Sequence, residues 1–374
     1  MCYFFSMQNQ LIGIRELAER AKQEGAIDLA QGVIDATPPA ALLETIKNLP
    51  LEKYSTYNNK RGVQEYRTAI VEYMCKRGWT LTLDNVLGIS GVTAGIASML
   101  LTHCKPGARV LLPEPFFIGH KLLLDALGFK IKYLPTSIEV TPDWDNFASH
   151  MRSVDAAILT TPSNPTGHIA SPAILKNLSG VAAEHSCLLI IDEMYREFIW
   201  SSPPHDSEYT DIDLSHTIIL RSFSKTLAIP GWRCGFAIVN KETLDAVAST
   251  HDALYLGGST IAQHALAIFL ANNLEGMNIY IDNLRLRLQQ NRKQLLTAFE
   301  RIGMNPLPTT AAYYLLLRHN RSSDIAAMEE LIKKKVVTIP LNMLYSNPLQ
   351  DTGYIRAHFA ITPKNALRVV KFIK

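Results

Sequence analysis

The chain has 374 residues, of which 47% are hydrophobic and 19% are charged, as expected for a globular protein with a large core. Its formal net charge of +3 is too small to indicate binding to nucleic acid or to an anionic membrane. Five scattered cysteines and eleven histidines show no metal-ligand spacing, which argues against a metal enzyme. No apolar run reaches membrane-spanning length and residues 1–7 lack a signal-peptide pattern, so we expect a cytoplasmic protein.

Between about residues 63 and 240, short apolar runs alternate with amphipathic stretches. The helices predicted in this region are 64–77, 93–103, 117–127 and 172–185. The predicted strands are 86–89, 109–112, 130–134, 156–160, 187–191, 217–220 and 235–239. This alternation is typical of an α/β fold with a mainly parallel sheet that helices cover on both faces.

The remainder of the chain has a different pattern. Residues 278–301 are rich in Arg, Gln and Leu and predict one long helix, which we expect to leave the large domain and enter a smaller one. Further strands are predicted at 311–317 and 354–360.

Four polar segments follow strands of the predicted sheet. They are residues 90–95 (SGVTAG), 163–167 (SNPTG), 192–195 (DEMY) and 222–225 (SFSK), the last followed by Arg233. Because ligands of such sheets bind at the carboxyl ends of strands, we expect these segments to converge on one site. A lysine among hydroxyls, with a guanidinium close by, can hold an amine beside a bound anion. Schiff-base chemistry on a phosphorylated aldehyde needs this arrangement.

In this order, the four segments resemble those of the aspartate aminotransferase superfamily, the fold type I, class I/II aminotransferases that use pyridoxal 5′-phosphate (PLP). The resemblance extends from Gly32 to Arg356. It implies the PLP-dependent transferase fold type I, in which a large domain has a mainly parallel sheet between helices and a smaller domain is α+β. We expect the large domain at 46–277, and the small domain at 1–45 together with 278–374. The pattern is most similar to the branch that contains kynurenine and methionine aminotransferases and cystathionine β-lyases.

The resemblance implies roles around the cofactor ring. Lys225 would form the Schiff base and act as general base, and Asp192 would bind the ring nitrogen. Tyr195 and Asn164 would hydrogen-bond the phenolic oxygen of the ring. Phe117, with Phe116 as the alternative, would stack on the ring. His120 lies where some members place a histidine behind the aspartate, although it could equally be a packed core residue.

The resemblance also implies how phosphate and substrate are bound. Donors to the phosphate would be the amides of Val92 and Thr93 and the side chains of Ser222, Ser224 and Arg233. Tyr57, with Tyr54 as the competing candidate, would reach the phosphate of the neighbouring subunit, which implies a homodimer with shared sites. Arg356 would bind the substrate α-carboxylate, with Asn164 and the backbone at Gly32 beside it.

The implied function is transfer of an amino group from an L-amino acid to a 2-oxo acid. No residue clearly matches the arginine that binds a second carboxylate, since Arg15, Lys60 and Arg61 are interpreted as solvated. Residues 254–259 are apolar and glycine-rich, which favours apolar, aromatic or sulfur-containing donors. The alternative is a PLP-dependent carbon–sulfur β-lyase on the same fold. A transcription regulator with this fold would need a DNA-binding domain before Leu29, and we expect none.

Overall fold

The structure is a computed structural model that describes residues 13–200 and 211–374. Its helices are α1 (Ile14–Gln23), α2 (Ala40–Lys47), α3 (Gln64–Lys76), α4 (Val92–His103), α5 (Ile118–Ala126), α6 (Trp144–Met151), α7 (Pro172–Glu184), α8 (Phe223–Thr226), α9 (Lys241–Tyr255), α10 (Thr260–Asn272), α11 (Leu274–Arg301), α12 (Asp324–Lys333) and α13 (Pro363–Phe372). Its strands are β1 (Ile27–Asp28), β2 (Val86–Ile89), β3 (Arg109–Glu114), β4 (Lys130–Pro135), β5 (Ala156–Thr160), β6 (Leu188–Asp192), β7 (Thr217–Ser222), β8 (Gly235–Ile238), β9 (Asn305–Pro306), β10 (Tyr314–Arg318), β11 (Val336–Val337), β12 (Ile339–Pro340) and β13 (Tyr354–His358).

The main sheet has the strand order β2-β8-β7-β6-β5-β3-β4. Neighbours from β7 to β4 are parallel, whereas β8 pairs antiparallel with both β7 and β2. The prediction of a mainly parallel α/β sheet is therefore confirmed. The antiparallel direction of β8 was not predicted.

Side chains of the central strands alternate between two apolar clusters, one on each face of the sheet. Leu189 and Ile191 of β6 lie in one cluster, and Ile190 lies in the other. Because both faces are buried, these strands are continuous apolar runs, and their polar residues come where the strands end. The parallel strands thereby bring Asp192 and Ser222 to one edge of the sheet.

A second, antiparallel sheet has the order β12-β13-β10-β9, and β1 pairs with β11 beside it. Helix α11 connects the two parts of the molecule, since its Ile281 packs in a cluster of the main sheet and its Leu284 packs in the cluster around β10 and β13. This packing supports the two-domain division that we propose from the sequence. Leu42 of α2 packs in the same cluster of the main sheet as Ile281. The chain has therefore passed from the smaller part of the molecule to the larger part by this residue.

The predicted elements of the main sheet agree with the structure to within one or two residues. The strand expected at 311–317 instead forms at Tyr314–Arg318. Ala312 has a φ of +58°, which a β-strand does not accommodate, and Ala311 makes only an isolated bridge to Ile199. Across the described residues, none of the helices combines the length and the apolar character that crossing a bilayer requires.

Candidate active site

Lys225 lies in the short helix α8, directly after β7. Ser222 begins this helix, because its side chain accepts a hydrogen bond from the Ser224 amide at 3.1 Å. The Lys225 Nζ donates to the Gly32 carbonyl at 3.1 Å. Burial lowers the pKa of Lys225 to about 8, and the positive charges of Arg233 and Arg356 act in the same direction. An amine of this pKa is partly neutral near pH 8 and can act as nucleophile or base.

Asp192 is the last residue of β6 and is only 5% exposed. One carboxylate oxygen accepts from the Met194 amide at 3.0 Å, and the other lies 3.2 Å from Nε2 of His120 on α5. The structure therefore brings His120 to Asp192, where the sequence left its position open. These two contacts together fix the orientation of the Asp192 carboxylate.

Arg356 lies on β13, has a 2% exposed side chain and is held by three groups. Its Nη1 donates to Asn164 Oδ1 at 2.8 Å, its Nη2 donates to the Ala30 carbonyl, and its guanidinium stacks on the Tyr314 ring at 4.5 Å. Its Nε has no hydrogen-bond partner among the described residues. A buried guanidinium with an unused donor is suited to bind a carboxylate that arrives with a ligand.

Gly32 lies beside the Tyr314 ring on the Arg356 side of the site. Its φ is +60°, and a Cβ there would lie 2.6 Å from the Tyr314 hydroxyl oxygen, so only glycine fits without displacement. Its carbonyl accepts from both Lys225 and Tyr313, the latter at 3.0 Å. Tyr313 and Tyr314 are site residues that the sequence analysis missed. The available signal was a pair of tyrosines within the strand predicted at 311–317.

Several donors surround the start of α4. The Ser222 hydroxyl donates to the Cys234 carbonyl at 2.6 Å, and its oxygen lies 2.8 Å from that of Ser224. Arg233 Nη2 donates to the Ser90 carbonyl at 3.4 Å. A Cβ at Gly91 would lie 2.5 Å from this same Arg233 nitrogen. Val92 and Thr93 are the first residues of α4, whose leading amides have no acceptor within the helix. This donor set fits a phosphate group.

The two candidates for ring stacking lie in different surroundings. Phe116 is buried in the core and stacks on Tyr133 with ring centroids 5.6 Å apart. Phe117 lies at the start of α5, and its ring makes an edge contact with His120 at 5.3 Å. The position of Phe117 favours it as the stacking residue.

Tyr57 and Tyr54, the two candidates for reaching the phosphate of a neighbouring subunit, differ in their exposure and contacts. Tyr57 is 80% exposed, whereas the Tyr54 ring lies 3.9 Å from the His264 ring of the same chain. Within this chain Tyr57 is thus not part of the buried site.

The basic residues considered for a second carboxylate lie on the surface. Arg61 binds Asp245 through two nitrogens, at 2.8 and 2.7 Å, and also pairs with Asp84. Lys60 lies 3.6 Å from Asp245, and Arg15 is exposed on α1. All three are therefore interpreted as surface residues.

The residues present fit PLP. The donors around Gly91 suit its phosphate, the Asp192 carboxylate suits a ring nitrogen that carries a proton, and the Lys225 amine suits its aldehyde. The unpartnered Arg356 Nε leaves a position for the carboxylate of an amino acid.

Residues 24–373 match the family model described as aminotransferase class I and II. The putative aminotransferase YugH of Bacillus subtilis is 26% identical, with 93% of this chain and 91% of the relative aligned. The aspartate aminotransferase of Pyrococcus horikoshii is 25% identical, over 96% and 93% of the two chains. Among solved structures, Escherichia coli YbdL, reported with a methionine aminotransferase function, has a TM-score of 0.87 at 23% identity and covers 96% of this chain and 95% of its own. The chain belongs to the class I and II aminotransferase family, as its sequence motifs predicted.

Proposed function

We propose that the protein is a PLP-dependent aminotransferase that moves an amino group from an L-amino acid to a 2-oxo acid. The convergence of Lys225 and Arg356 carries this proposal. An amine with its pKa lowered to about 8 shares one buried site with a guanidinium that has an unused donor. One group suits an aldehyde and the other suits an α-carboxylate, and transamination needs both.

When bound, PLP supplies an aldehyde for the amino group and a ring that accepts electrons from the substrate Cα. Asp192, fixed by His120 and the Met194 amide, would hold a proton on the ring nitrogen. Ser222, Ser224, Arg233 and the amides of Val92 and Thr93 would bind the phosphate. Phe117 would cover one face of the ring, and Tyr195 and Asn164 would bind its phenolic oxygen.

Lys225 would move the proton at the substrate Cα. Its lowered pKa leaves a usable fraction of neutral amine near pH 8, whereas an ordinary lysine is almost fully protonated there. The Gly32 carbonyl keeps the amine on the side of the site where Arg356 holds the carboxylate. Burial of Arg356 excludes water from this contact and strengthens it.

We propose apolar, aromatic or thioether amino acids as the preferred donors. Lys60 and Arg61, which follow Tyr57 in the sequence, are engaged by Asp245 and Asp84. A distal carboxylate therefore lacks an assigned cation in the described part of the chain. The Pyrococcus relative is named an aspartate aminotransferase, so aspartate belongs in any test. No observation favours the β-lyase.

The experiment is a donor panel with the PLP-loaded enzyme, one 2-oxo acid acceptor, and mass spectrometry of the amino acid formed. Methionine, kynurenine, phenylalanine and leucine are compared with aspartate and glutamate, and cystathionine is incubated without acceptor. We expect the best apolar, aromatic or thioether donor to exceed aspartate by at least about tenfold in kcat/KM, roughly 1.4 kcal/mol. If aspartate or glutamate is clearly the best donor, the substrate class is wrong. If cystathionine alone is cleaved and no amino group is transferred, the lyase is correct.

Replacing Arg356 with lysine is expected to raise KM for every active donor by about 10- to 100-fold. An ammonium cannot reproduce the two-nitrogen contact of a guanidinium with a carboxylate. The order of donors should stay the same, because the α-carboxylate is common to all. The matched control is Arg318→Lys, which changes an exposed arginine on the neighbouring strand β10. A reordered panel, or an unchanged KM, would show that Arg356 does not bind the common carboxylate.

We also propose a homodimer in which Tyr57 completes the partner's site. Its 80% exposure is consistent with a residue that contacts a second subunit. Mixed dimers of Lys225→Ala and Tyr57→Phe chains should regain activity, because one of the two sites then has both intact residues. Tyr54→Phe is the control, since the Tyr54 ring packs on His264 of its own chain. If subunits exchange and Tyr57→Phe alone is impaired, but mixing restores nothing, the shared site is refuted.

A further inference from the structure

Tyr314 contacts two of the proposed site residues, Arg356 and Tyr195. It is 2% exposed and lies on β10 directly opposite His358 of β13. Residues paired across strands project from the same face, and Arg356, two residues before His358, projects from that face as well. Accordingly, the Arg356 guanidinium stacks on the Tyr314 ring at 4.5 Å. At the other end of this ring, the hydroxyl oxygens of Tyr314 and Tyr195 are 2.7 Å apart.

The hydrogen bonds of Asn164 determine whether it donates to the Tyr195 hydroxyl or accepts from it. Arg356 can only donate, so its contact with Asn164 Oδ1 fixes the orientation of the amide. The Asn164 Nδ2 group then faces Tyr195 and donates to its hydroxyl oxygen at 3.5 Å. Tyr195 thus accepts a hydrogen bond from Asn164, and its hydroxyl oxygen lies 2.7 Å from that of Tyr314.

The position of Arg356 favours Tyr314 as the donor in the 2.7 Å contact with Tyr195. The Arg356 guanidinium lies over the Tyr314 ring, 4.5 Å from its centroid, so its positive charge draws electron density from this phenol and makes its hydroxyl the better proton donor. The same charge opposes the burial that raises the pKa of Tyr314. The neighbouring Tyr313 does not compete for this role, because its hydroxyl donates to the Gly32 carbonyl.

We propose that Tyr314 is a positioning residue that donates its hydroxyl proton to Tyr195, so that the Tyr195 proton is directed to the phenolic oxygen of PLP. This inference rests on the proposed function and extends it. Tyr195, with its oxygen accepting from Asn164 and Tyr314, has its single O–H left for the cofactor. Arg356 is thereby linked to the cofactor ring by two routes, through Asn164 and through Tyr314.

The test is a spectrophotometric pH titration of the PLP-loaded enzyme, which reads the pKa of the bound cofactor from its visible absorption. A hydrogen bond to the phenolic oxygen stabilises negative charge there, and this charge is largest after the bound cofactor has lost its proton. Tyr314→Phe weakens Tyr195 as a donor, so it should raise that pKa by about 0.5 to 1, a three- to tenfold change in the proton-dissociation constant. Tyr195→Phe should raise it by more.

The double variant Tyr195→Phe/Tyr314→Phe distinguishes positioning from a general structural effect. If Tyr314 acts through Tyr195, the double variant should have the same pKa as Tyr195→Phe alone. The control Tyr354→Phe removes a phenol hydroxyl from β13, whose partners are Glu139 and Arg318, and should leave the titration unchanged. Thermal unfolding of the cofactor-free variants measures any loss of stability separately.

Two results would overturn the inference while the proposed function stands. One is a wild-type enzyme that transaminates, together with a Tyr314→Phe titration that does not move. The other is additive shifts in the double variant, which would show that Tyr314 acts independently of Tyr195. A wild-type protein that takes up no PLP would overturn both the inference and the proposed function.

Discussion

Replacing Lys225 with alanine is expected to lower kcat for transamination by at least about 10⁴-fold. The variant loses both the amine that would bind the aldehyde and the base that would move the substrate proton. Within residues 13–200 and 211–374, the positive groups that influence Lys225 are the guanidiniums of Arg233 and Arg356, and neither is an amine that could replace it. A guanidinium binds anions through its N–H donors and is not suited to accept the substrate proton.

Borohydride reduction of the wild-type enzyme followed by peptide mapping identifies the lysine directly. The pyridoxyl adduct should lie on Lys225 and on no other lysine, and Lys130→Ala, which changes an exposed lysine of β4, should keep full activity. Uptake of PLP by the cofactor-free protein should also accelerate as pH rises, with a midpoint near 8, because this is where Lys225 becomes neutral. An adduct on a different lysine, or a midpoint near the ordinary lysine value, would contradict the assignment.

The central sheet was predictable because each of its strands can be recognised from a short stretch of sequence. Each strand from β5 to β7 contains a continuous apolar run that is followed by a polar residue, and burial on both faces requires this pattern. The same rule places Asp192 at the end of a strand and Asn164 and Lys225 just after strand ends, so their arrangement at one edge followed from topology. The long helix α11 was also predicted, apart from its first four residues.

The parts that were not predicted depend on contacts between distant segments. Tyr314 belongs to the site only because of its register with β13, which places it opposite His358 and under Arg356. One residue of slip would turn its side chain to the other face, and the sequence does not fix that register. The contact between His120 and Asp192 was one of two alternatives from the sequence, the other being a packed core histidine, and the structure forms the contact at 3.2 Å. Choosing between them requires knowing how α5 packs, which a lone histidine in a helix does not reveal.

The Asp192 carboxylate is expected to be far more important for turnover than for cofactor binding. Asp192→Asn keeps the side-chain volume and can still accept from the Met194 amide, so the end of β6 should keep its structure. A neutral amide cannot balance a positive charge on the ring nitrogen, and the ring then becomes a poorer acceptor for electrons from the substrate Cα. We expect kcat to fall by about 10²-fold or more, roughly 2.7 kcal/mol in the proton-transfer step.

Affinity for PLP should change by less than about tenfold in Asp192→Asn, because the residues that we propose to bind the phosphate are unchanged. The residues proposed to bind the phosphate are separate from Asp192 in the sequence and lie on other elements. Ser222 ends β7, Ser224 lies in α8, Arg233 lies between α8 and β8, and the amides are those at the start of α4. Stopped-flow turnover and fluorescence titration with PLP measure the two effects on the same preparation. The control Asp213→Asn removes a carboxylate whose own contact is to the Ser215 amide, in the connection that leads into β7, and should change neither quantity. Near-normal turnover in Asp192→Asn would remove this carboxylate from the chemistry. A loss of PLP affinity as large as the loss of turnover would instead make it mainly an anchor, with His120 as the residue that fixes its position.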